Sequence, residues 1–288
     1  MQGIIMKGIG GLYFVKAEDK IIECTARGKF RYSGLSPVIG DKVEVILETE
    51  DKGVIEKIFT RETEMIRPVV ANVTQAFVVF AFKKPDLNMD LLNKFLVLCK
   101  YYKLKIVLCL NKLDLVEEVD DELIKELKSV GCDIVFLKAK EGEGLDELKT
   151  KIKDNISVFC GPSGVGKSTI LNSLVGREAM KTGEVSQKSQ KGKHTTRHSE
   201  LIECGEGFLL DTPGFSSLNI DFIEKEELQY CFPEFEKYRC ECRFSNCIHH
   251  KEPNCSVKDA VAAKEIYTYR YKFYIKTLEE IIARGNKR

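Results

Sequence analysis

Asn111-Lys112-Leu113-Asp114 closes an apolar run from Lys105 to Leu110 and stands about fifty positions before Gly161-Pro162-Ser163-Gly164-Val165-Gly166-Lys167-Ser168. The second string is a complete phosphate-binding loop. The first can read a guanine base at the end of a strand, and in guanine-nucleotide domains it normally follows the phosphate loop. Its place upstream predicts a nucleotide-binding sheet whose strands are connected in rotated order.

A chain of 288 residues is long enough for one well-buried core and one or two smaller modules. The longest apolar runs, such as Ala76 to Phe82, have strand length and fall far short of a membrane span. The start at Met1 has no basic segment followed by a secretory apolar core, so the cytoplasm is the expected location, with no membrane partner. Most of the cysteines, among them Cys99, Cys109 and Cys160, sit singly in apolar runs, where a reduced buried thiol is ordinary. Net charge is +1, which excludes a general polycation. The distribution is less even: Lys181 to His198 carries five basic residues against one acid, a modest electrostatic footprint for RNA.

The chain divides into three modules. Residues 1–64 read as short strands with turns: Gly10 to Lys16, Lys20 to Ala26, Asp41 to Glu48 and Gly53 to Phe59. So many short strands in so few residues favour a closed barrel of OB type. Arg27-Gly28-Lys29-Phe30-Arg31-Tyr32 gathers three cations and two aromatics in one expected loop, whose rings either stack on bases or pack inward. From Val73 the pattern alternates strand and helix through Cys160, which predicts a mostly parallel sheet covered by helices over residues 65–220. Residues 221–288 hold a Cys/His knot and an expected helix from Val257 to Ile282. There Val261, Lys264, Tyr267, Tyr271, Tyr274, Leu278 and Ile281 recur at helical spacing, Lys264 being the one polar exception.

The chemistry expected of the nucleotide motifs comes from their residue types. Gly161, Gly164 and Gly166 let the chain curl so that successive amides of the nucleotide-binding stretch Gly161, Pro162, Ser163, Gly164, Val165, Gly166, Lys167, Ser168 and Thr169 face phosphates, Pro162 itself having no N–H to donate. Lys167 reaches the β and γ phosphates, and the Ser168 hydroxyl binds magnesium. Asp114 accepts from the ring N–H and exocyclic amine of guanine, groups that adenine does not present, through charge-assisted bonds worth about 1.5–3 kcal/mol. Asn111 orients the loop and the Lys112 stem covers the base. Asp211-Thr212-Pro213-Gly214 follows the apolar run Phe208 to Leu210, so Asp211 can hold the magnesium water shell while the Gly214 amide senses the γ phosphate.

Between these motifs lies Gly192-Lys193-His194-Thr195-Thr196-Arg197, polar and basic. Thr195 or Thr196, with Thr196 preferred, could complete the magnesium shell. Phe215 stands where many GTPases place a glutamine that orients water, so another group must do this. His194 is the nearest candidate, with a structural or RNA-facing histidine as the alternative. Cys242, Cys247, His249 and Cys255 have the spacing C-x4-C-x-H-x5-C, which suits one closed, structural zinc, and Cys240 and His250 are near enough to substitute.

Together with Arg67-Pro68, Gly40-Asp41 and Ala71-Asn72-Val73, these strings closely resemble the circularly permuted GTPases that act in small ribosomal subunit biogenesis. The likeness spans nearly the whole chain. It implies an OB barrel, a permuted GTPase domain and a zinc module in that order, GTP hydrolysis with magnesium, and binding to the small subunit and its rRNA as a monomer. It also implies Cys242, Cys247, His249 and Cys255 as the zinc ligands, with Cys240 and His250 as bystanders, and His194 as the replacement for the missing glutamine. One string departs from the family: Lys138-Ala139-Lys140 stands where a Ser-Ala pair usually supports the guanine, leaving the Ala139 amide to contact the base oxygen. From the residues alone, a nucleotide-switched RNA-binding or translation regulator with little turnover remains an alternative, and an RNA-free metal-sensing GTPase a more distant one.

Overall fold

The computed structural model describes residues 1–32, 34–65, 69–176, 199–215 and 220–285, with side chains excepted at 31–32 and 212–215. His194, Thr195, Thr196, Arg197, Lys191, Lys193, Arg67 and Pro68 lie outside the described residues.

The first module is a five-stranded barrel. Its strands are β1 (Gln2–Ile9), β2 (Leu12–Ala17), β3 (Lys20–Ala26), β4 (Lys42–Leu47) and β5 (Lys52–Ile58), with a short helix α1 (Lys29–Tyr32) between β3 and β4. They run in the order β1-β2-β3-β5-β4, and β4 returns to pair with β1 and close the ring. Alternation explains the interior: Val43 and Val45 on β4 point inward with Ile5, Val15, Ile22 and Ile55, while Lys42, Glu44 and Ile46 face out. Strand β1 carries no clean alternation and was not among the strands expected from the sequence. The Arg27 to Tyr32 segment is likewise not a plain loop. Its helical turn delivers Phe30 into the barrel core, where it is buried, so that ring packs inward and is not available for stacking on bases.

A knot of hydrogen bonds fastens the barrel to the segment that leads into the second module. Asp41 is fully buried and accepts two bonds from Arg61, to Oδ1 at 2.7 Å and Oδ2 at 2.9 Å. Asn72, at φ +58°, donates to the Gly40 carbonyl at 2.9 Å and accepts from the Glu62 amide at 2.9 Å. The hairpin β6 (Glu64–Met65) and β7 (Val70–Ala71) lies beside this knot, and the Ala71 amide donates to the Ile39 carbonyl. The strings Gly40-Asp41 and Ala71-Asn72-Val73 are therefore two halves of one joint.

The second module alternates β8 (Gln75–Ala81), α2 (Met89–Tyr101), β9 (Lys105–Asn111), α3 (Asp121–Ser129), β10 (Asp133–Phe136), α4 (Leu145–Ile152), β11 (Ile156–Cys160) and α5 (Lys167–Val175), and closes with β12 (Glu200–Cys204) and β13 (Gly207–Phe215). In space the order is β10-β9-β8-β11-β13-β12, parallel except for β12. The decisive connection is β10 to β11: β11 does not extend the edge but inserts beside β8, in the middle of the sheet. The carboxyl ends of β9, β10 and β11 thus open at the same edge of the sheet, where ligands of open α/β sheets bind. Fully buried β8 reads as a continuous apolar run from Ala76 to Ala81 because helices cover both faces. Helices α4 and α5 pack on one face, and α2 and α3 on the other.

The last module shares the core of the α2 face. It contains α6 (Glu236–Arg239), α7 (Ser256–Ala262) and α8 (Thr268–Gly285). The single helix expected from Val257 to Ile282 is two helices. Lys264 takes the left-handed conformation at φ +60°, and the Glu265 and Ile266 amides turn back to the Ala260 carbonyl, which ends α7 in a left-handed cap. The polar exception in the helical pattern marks this break. It lets α8 cross back over α2, where buried Arg270 donates to Glu234 at 2.6 Å and Asn93 at 2.5 Å and stacks on Phe232.

At Gly40, φ is +84° and an added Cβ would meet the Ala71 carbonyl oxygen at 2.1 Å. Gly40→Ala should therefore destabilise the chain by at least about 2 kcal/mol. Gly28→Ala, whose Cβ meets nothing within 4 Å, should change stability little. Urea denaturation of both variants checks this, and equal midpoints would contradict the role given to the joint.

Candidate functional site

The phosphate loop is built at the end of β11 by three glycines of positive φ: Gly161 at +137°, Gly164 at +81° and Gly166 at +103°. Gly161 is also demanded by space, since a Cβ there would meet the Val79 carbonyl oxygen at 2.1 Å. Lys167, half-buried at the start of α5, donates to the Gly161 and Pro162 carbonyls at 2.8 and 2.6 Å. Burial pushes its ammonium below the ordinary lysine range, an effect that an incoming anion would offset. Ser168 and Thr169 are half-buried on the first turn of the same helix.

The NKLD loop meets the phosphate loop through side chains. Asn111, almost fully buried, donates from Nδ2 to the Val165 carbonyl at 2.8 Å and accepts at Oδ1 from the Ala139 amide at 3.1 Å. One side chain thus binds three loops together, those after β9, β10 and β11. Gly166 is where Asn111 passes: a Cβ there would come within 2.4 Å of Nδ2. Lys112 takes φ +60° and donates to the Gly164 carbonyl at 2.7 Å and to the Lys84 carbonyl, so its stem spans from one loop to the other. Asp114 stands in a 3-10 turn (Leu113–Leu115) with its side chain exposed at this edge. The Ala139 amide, expected from the sequence to face the base oxygen, is engaged by Asn111. Lys138 pairs with Glu143 at 2.8 Å, and the two residues also form a backbone bridge across the turn that carries Ala139.

On the other side of β11 lies β13, which carries Asp211 half-buried. Burial, and then the charge of Glu200 opposite, hold its carboxyl above the ordinary range. A hard cation would reverse that preference. The backbone of β13 continues through Gly214 to Phe215, beside Cys160.

The Cys/His group is compact. The Nδ1 of His249 lies 3.6 Å from Cys242 Sγ, 3.5 Å from Cys247 Sγ and 3.3 Å from Cys255 Sγ, and the Cys242 and Cys255 sulfurs are 3.8 Å apart. A tetrahedral ion with metal–sulfur bonds of about 2.3 Å requires sulfur–sulfur edges of about 3.8 Å, so the donor set fits zinc in spacing and softness. Cys240 is exposed and His250 faces Glu279 at 3.2 Å, so both stand outside the group. His249 is held from behind. Its Nε2 faces Gln229 Oε1 at 3.0 Å, its carbonyl accepts from the Tyr271 hydroxyl, and Glu252 accepts from the amides on either side of it. Gln229 was not legible as a partner, because it comes from a separate 3-10 turn with no motif of its own. Of the tyrosines at helical spacing, Tyr271 and Tyr274 pack against the core, and Tyr274 also donates to the Ile248 carbonyl.

A family model described as RsgA GTPase matches residues 56–221, and one described as RsgA N-terminal domain matches residues 2–55. The chain belongs to the RsgA GTPase family. Its enzymatic activity is that of a GTPase. Among similar proteins, the Small ribosomal subunit biogenesis GTPase RsgA of Clostridium botulinum (strain 657 / Type Ba4) is 58% identical over 291 residues and covers 100% of both chains. The protein of the same name from Clostridium perfringens (strain 13 / Type A) is 58% identical over 288 residues, covering 99% of this chain and 100% of its own. The crystal structure of YloQ, a circularly permuted GTPase, superposes with a TM-score of 0.85 at 35% identity, over 98% of this chain and 95% of that one. The structure of YjeQ from Thermotoga maritima gives 0.84 at 36% identity over 98% of each. The strand order of the sheet agrees with the likeness to the circularly permuted structure of YloQ.

Asn111→Ala would leave the buried Val165 carbonyl and Ala139 amide without these partners, at about 1–3 kcal/mol each. Affinity for a fluorescent GDP should fall at least about tenfold, which corresponds to 1.4 kcal/mol. An unchanged dissociation constant would show that the three loops hold together without this side chain.

Proposed function

We propose that this RsgA-family enzyme hydrolyses GTP while assisting late maturation of the small ribosomal subunit, with its nucleotide state governing binding to and release from that subunit. The observation that carries the reading is the joining of the NKLD and phosphate loops by Asn111 and Lys112 into one pocket edge, within a chain whose relatives bear the name small ribosomal subunit biogenesis GTPase.

In this reading Asp114 accepts from guanine, Asn111 and Ala139 support the base, and Lys112 covers its plane. The amides from Gly161 to Thr169, Pro162 excepted, cradle the phosphates. Lys167 gives up its two loop carbonyls to stabilise charge on the β and γ phosphates. Ser168, Asp211 and Thr196 attend the magnesium, which neutralises the phosphate oxygens when bound. The γ-phosphate is sensed by the Gly214 amide. Water attacks the γ phosphorus in line, the bond to the β–γ bridging oxygen breaks, and GDP and inorganic phosphate leave. His194 orients that water in place of the glutamine that Phe215 replaces.

Cys242, Cys247, His249 and Cys255 hold one structural zinc, which supplies folding energy to a segment with few apolar residues of its own. Residues 1–64, 65–220 and 221–288 act as barrel, GTPase domain and zinc module of a monomer working in the cytoplasm, where its partner matures. The rRNA is met by basic residues of separate modules, among them Arg27, Lys29 and Arg31. Arg27 and Lys29 are half-exposed and share Glu56, so phosphate contacts there would compete with that carboxylate. Lys191, Lys193 and Arg197 could add to them.

Purified small subunits should raise GTP hydrolysis at least about tenfold over the free enzyme, and less so at high salt, because phosphate contacts release counterions. Turnover that ignores small subunits would overturn the assignment. Metal analysis should find one zinc per chain in the parent protein. Cys247→Ser combined with Cys255→Ser should abolish it and lower the thermal midpoint of the C-terminal module; full zinc occupancy in that variant would contradict the ligand set.

A further inference from the structure

Lys7 and Glu200 lie outside every nucleotide motif, yet they stand in one row with Asp211. Strand β12 pairs with β13 so that Glu200 is directly opposite Asp211, and with β1 so that Lys7 is directly opposite Glu200. Side chains at directly opposed positions share a face of the sheet, with Cβ atoms about 4.5–5.5 Å apart. Lys7, Glu200 and Asp211 therefore line one face in that order, each half-buried. Lys7 Nζ donates to Glu200 Oε2 at 2.6 Å. Among the described residues, this is the one register pair that joins the barrel to the sheet of the GTPase domain.

Stability gives little reason for the arrangement. The Lys7 and Glu200 side chains are 36% and 35% exposed, and an ion pair in such a setting contributes roughly 0–1 kcal/mol. Placing a second carboxylate directly across from Asp211 costs a similar amount by like-charge repulsion. What the pairing does alter is the potential at Asp211: Glu200 makes it more negative, and Lys7 offsets Glu200.

We propose that Glu200 is a positioning residue for divalent-cation binding at Asp211, and that Lys7, supplied by the barrel, sets how strongly Glu200 acts. The inference rests on the reading of Asp211 as the carboxylate of the magnesium water shell. Glu200 attracts the cation through space without ligating it. Lys7 moderates that attraction as long as it stays paired, and an anion that drew Lys7 away would tighten the hold on the cation. The barrel thereby reaches the nucleotide site through one cross-strand lysine.

The test uses the full-length chain loaded with N-methylanthraniloyl-GDP, and reads the magnesium concentration that half-suppresses nucleotide release. Lys7→Met should lower this midpoint about threefold and Glu200→Gln should raise it about threefold, shifts of the size expected for one unit charge in a largely aqueous field. The double variant should return close to the parent, and Lys7→Arg should match the parent. Both single shifts should shrink in about 0.5 M potassium chloride. A purely structural pair would move both single variants in the same direction, and that result, or no shift, would overturn the proposal. Asp211→Asn separates the two levels. If it leaves the midpoint unchanged, the reading of Asp211 fails; if it raises the midpoint while Lys7→Met and Glu200→Gln do not diverge, only the proposal for Glu200 and Lys7 fails.

Discussion

The nucleotide site depends on one buried amide side chain. Asn111 donates to the phosphate loop at Val165 and accepts from the Ala139 loop, while Gly166 leaves the space it needs. In a permuted chain, the loops that read the base and the loop that holds the phosphates belong to separate stretches of sequence, and no short-range backbone pairing brings them together. Sheet order carries them to one edge, but only to within the spacing of neighbouring strands. A hydrogen-bonding group with both a donor and an acceptor, at the end of β9, closes the remaining gap in two directions at once. Lys112 does the same for the base-covering stem, reaching back to Gly164.

The modules on either side are fastened by the same kind of device, a buried polar side chain hydrogen-bonded across the joint. Asp41, Arg61 and Asn72 join the barrel to the GTPase domain, and Arg270 joins the C-terminal helices to α2. Breaking a buried charged pair by removing one partner costs more than the pair itself contributes, which favours a definite arrangement over a merely strong one. The Cys/His group is part of the same design: Cys247 and Cys255 belong to the apolar core that α2 also enters.

Much of the site is legible in the amino-acid string. The phosphate loop, NKLD, the Asp211 strand end and the Cys/His spacing are local signatures, because each needs particular residue types at fixed offsets along the chain. The alternation of β4 marks that element to within one residue at each end. Strand β1 escapes, having no clean alternation, and the C-terminal helix reads too long because its apolar period happens to continue across the turn at Lys264. Phe30 can be placed on a short stretch but not inside or outside the barrel, since that depends on where the ring closes.

The sequence by itself determined the chemistry of the loops and, through the inverted order of two motifs, that the sheet must be permuted. Tertiary structure alone decided which distant residues meet: Asn111 with Val165 and Ala139, Gln229 with His249, Arg270 with Asn93, and Lys7 with Glu200 in front of Asp211. The physical reason is range. Backbone conformation, turn chemistry and ligand spacing act over a few residues and leave a mark in the local string. A cross-strand or interhelical hydrogen bond joins positions tens to hundreds of residues apart, and nothing in either neighbourhood announces its partner.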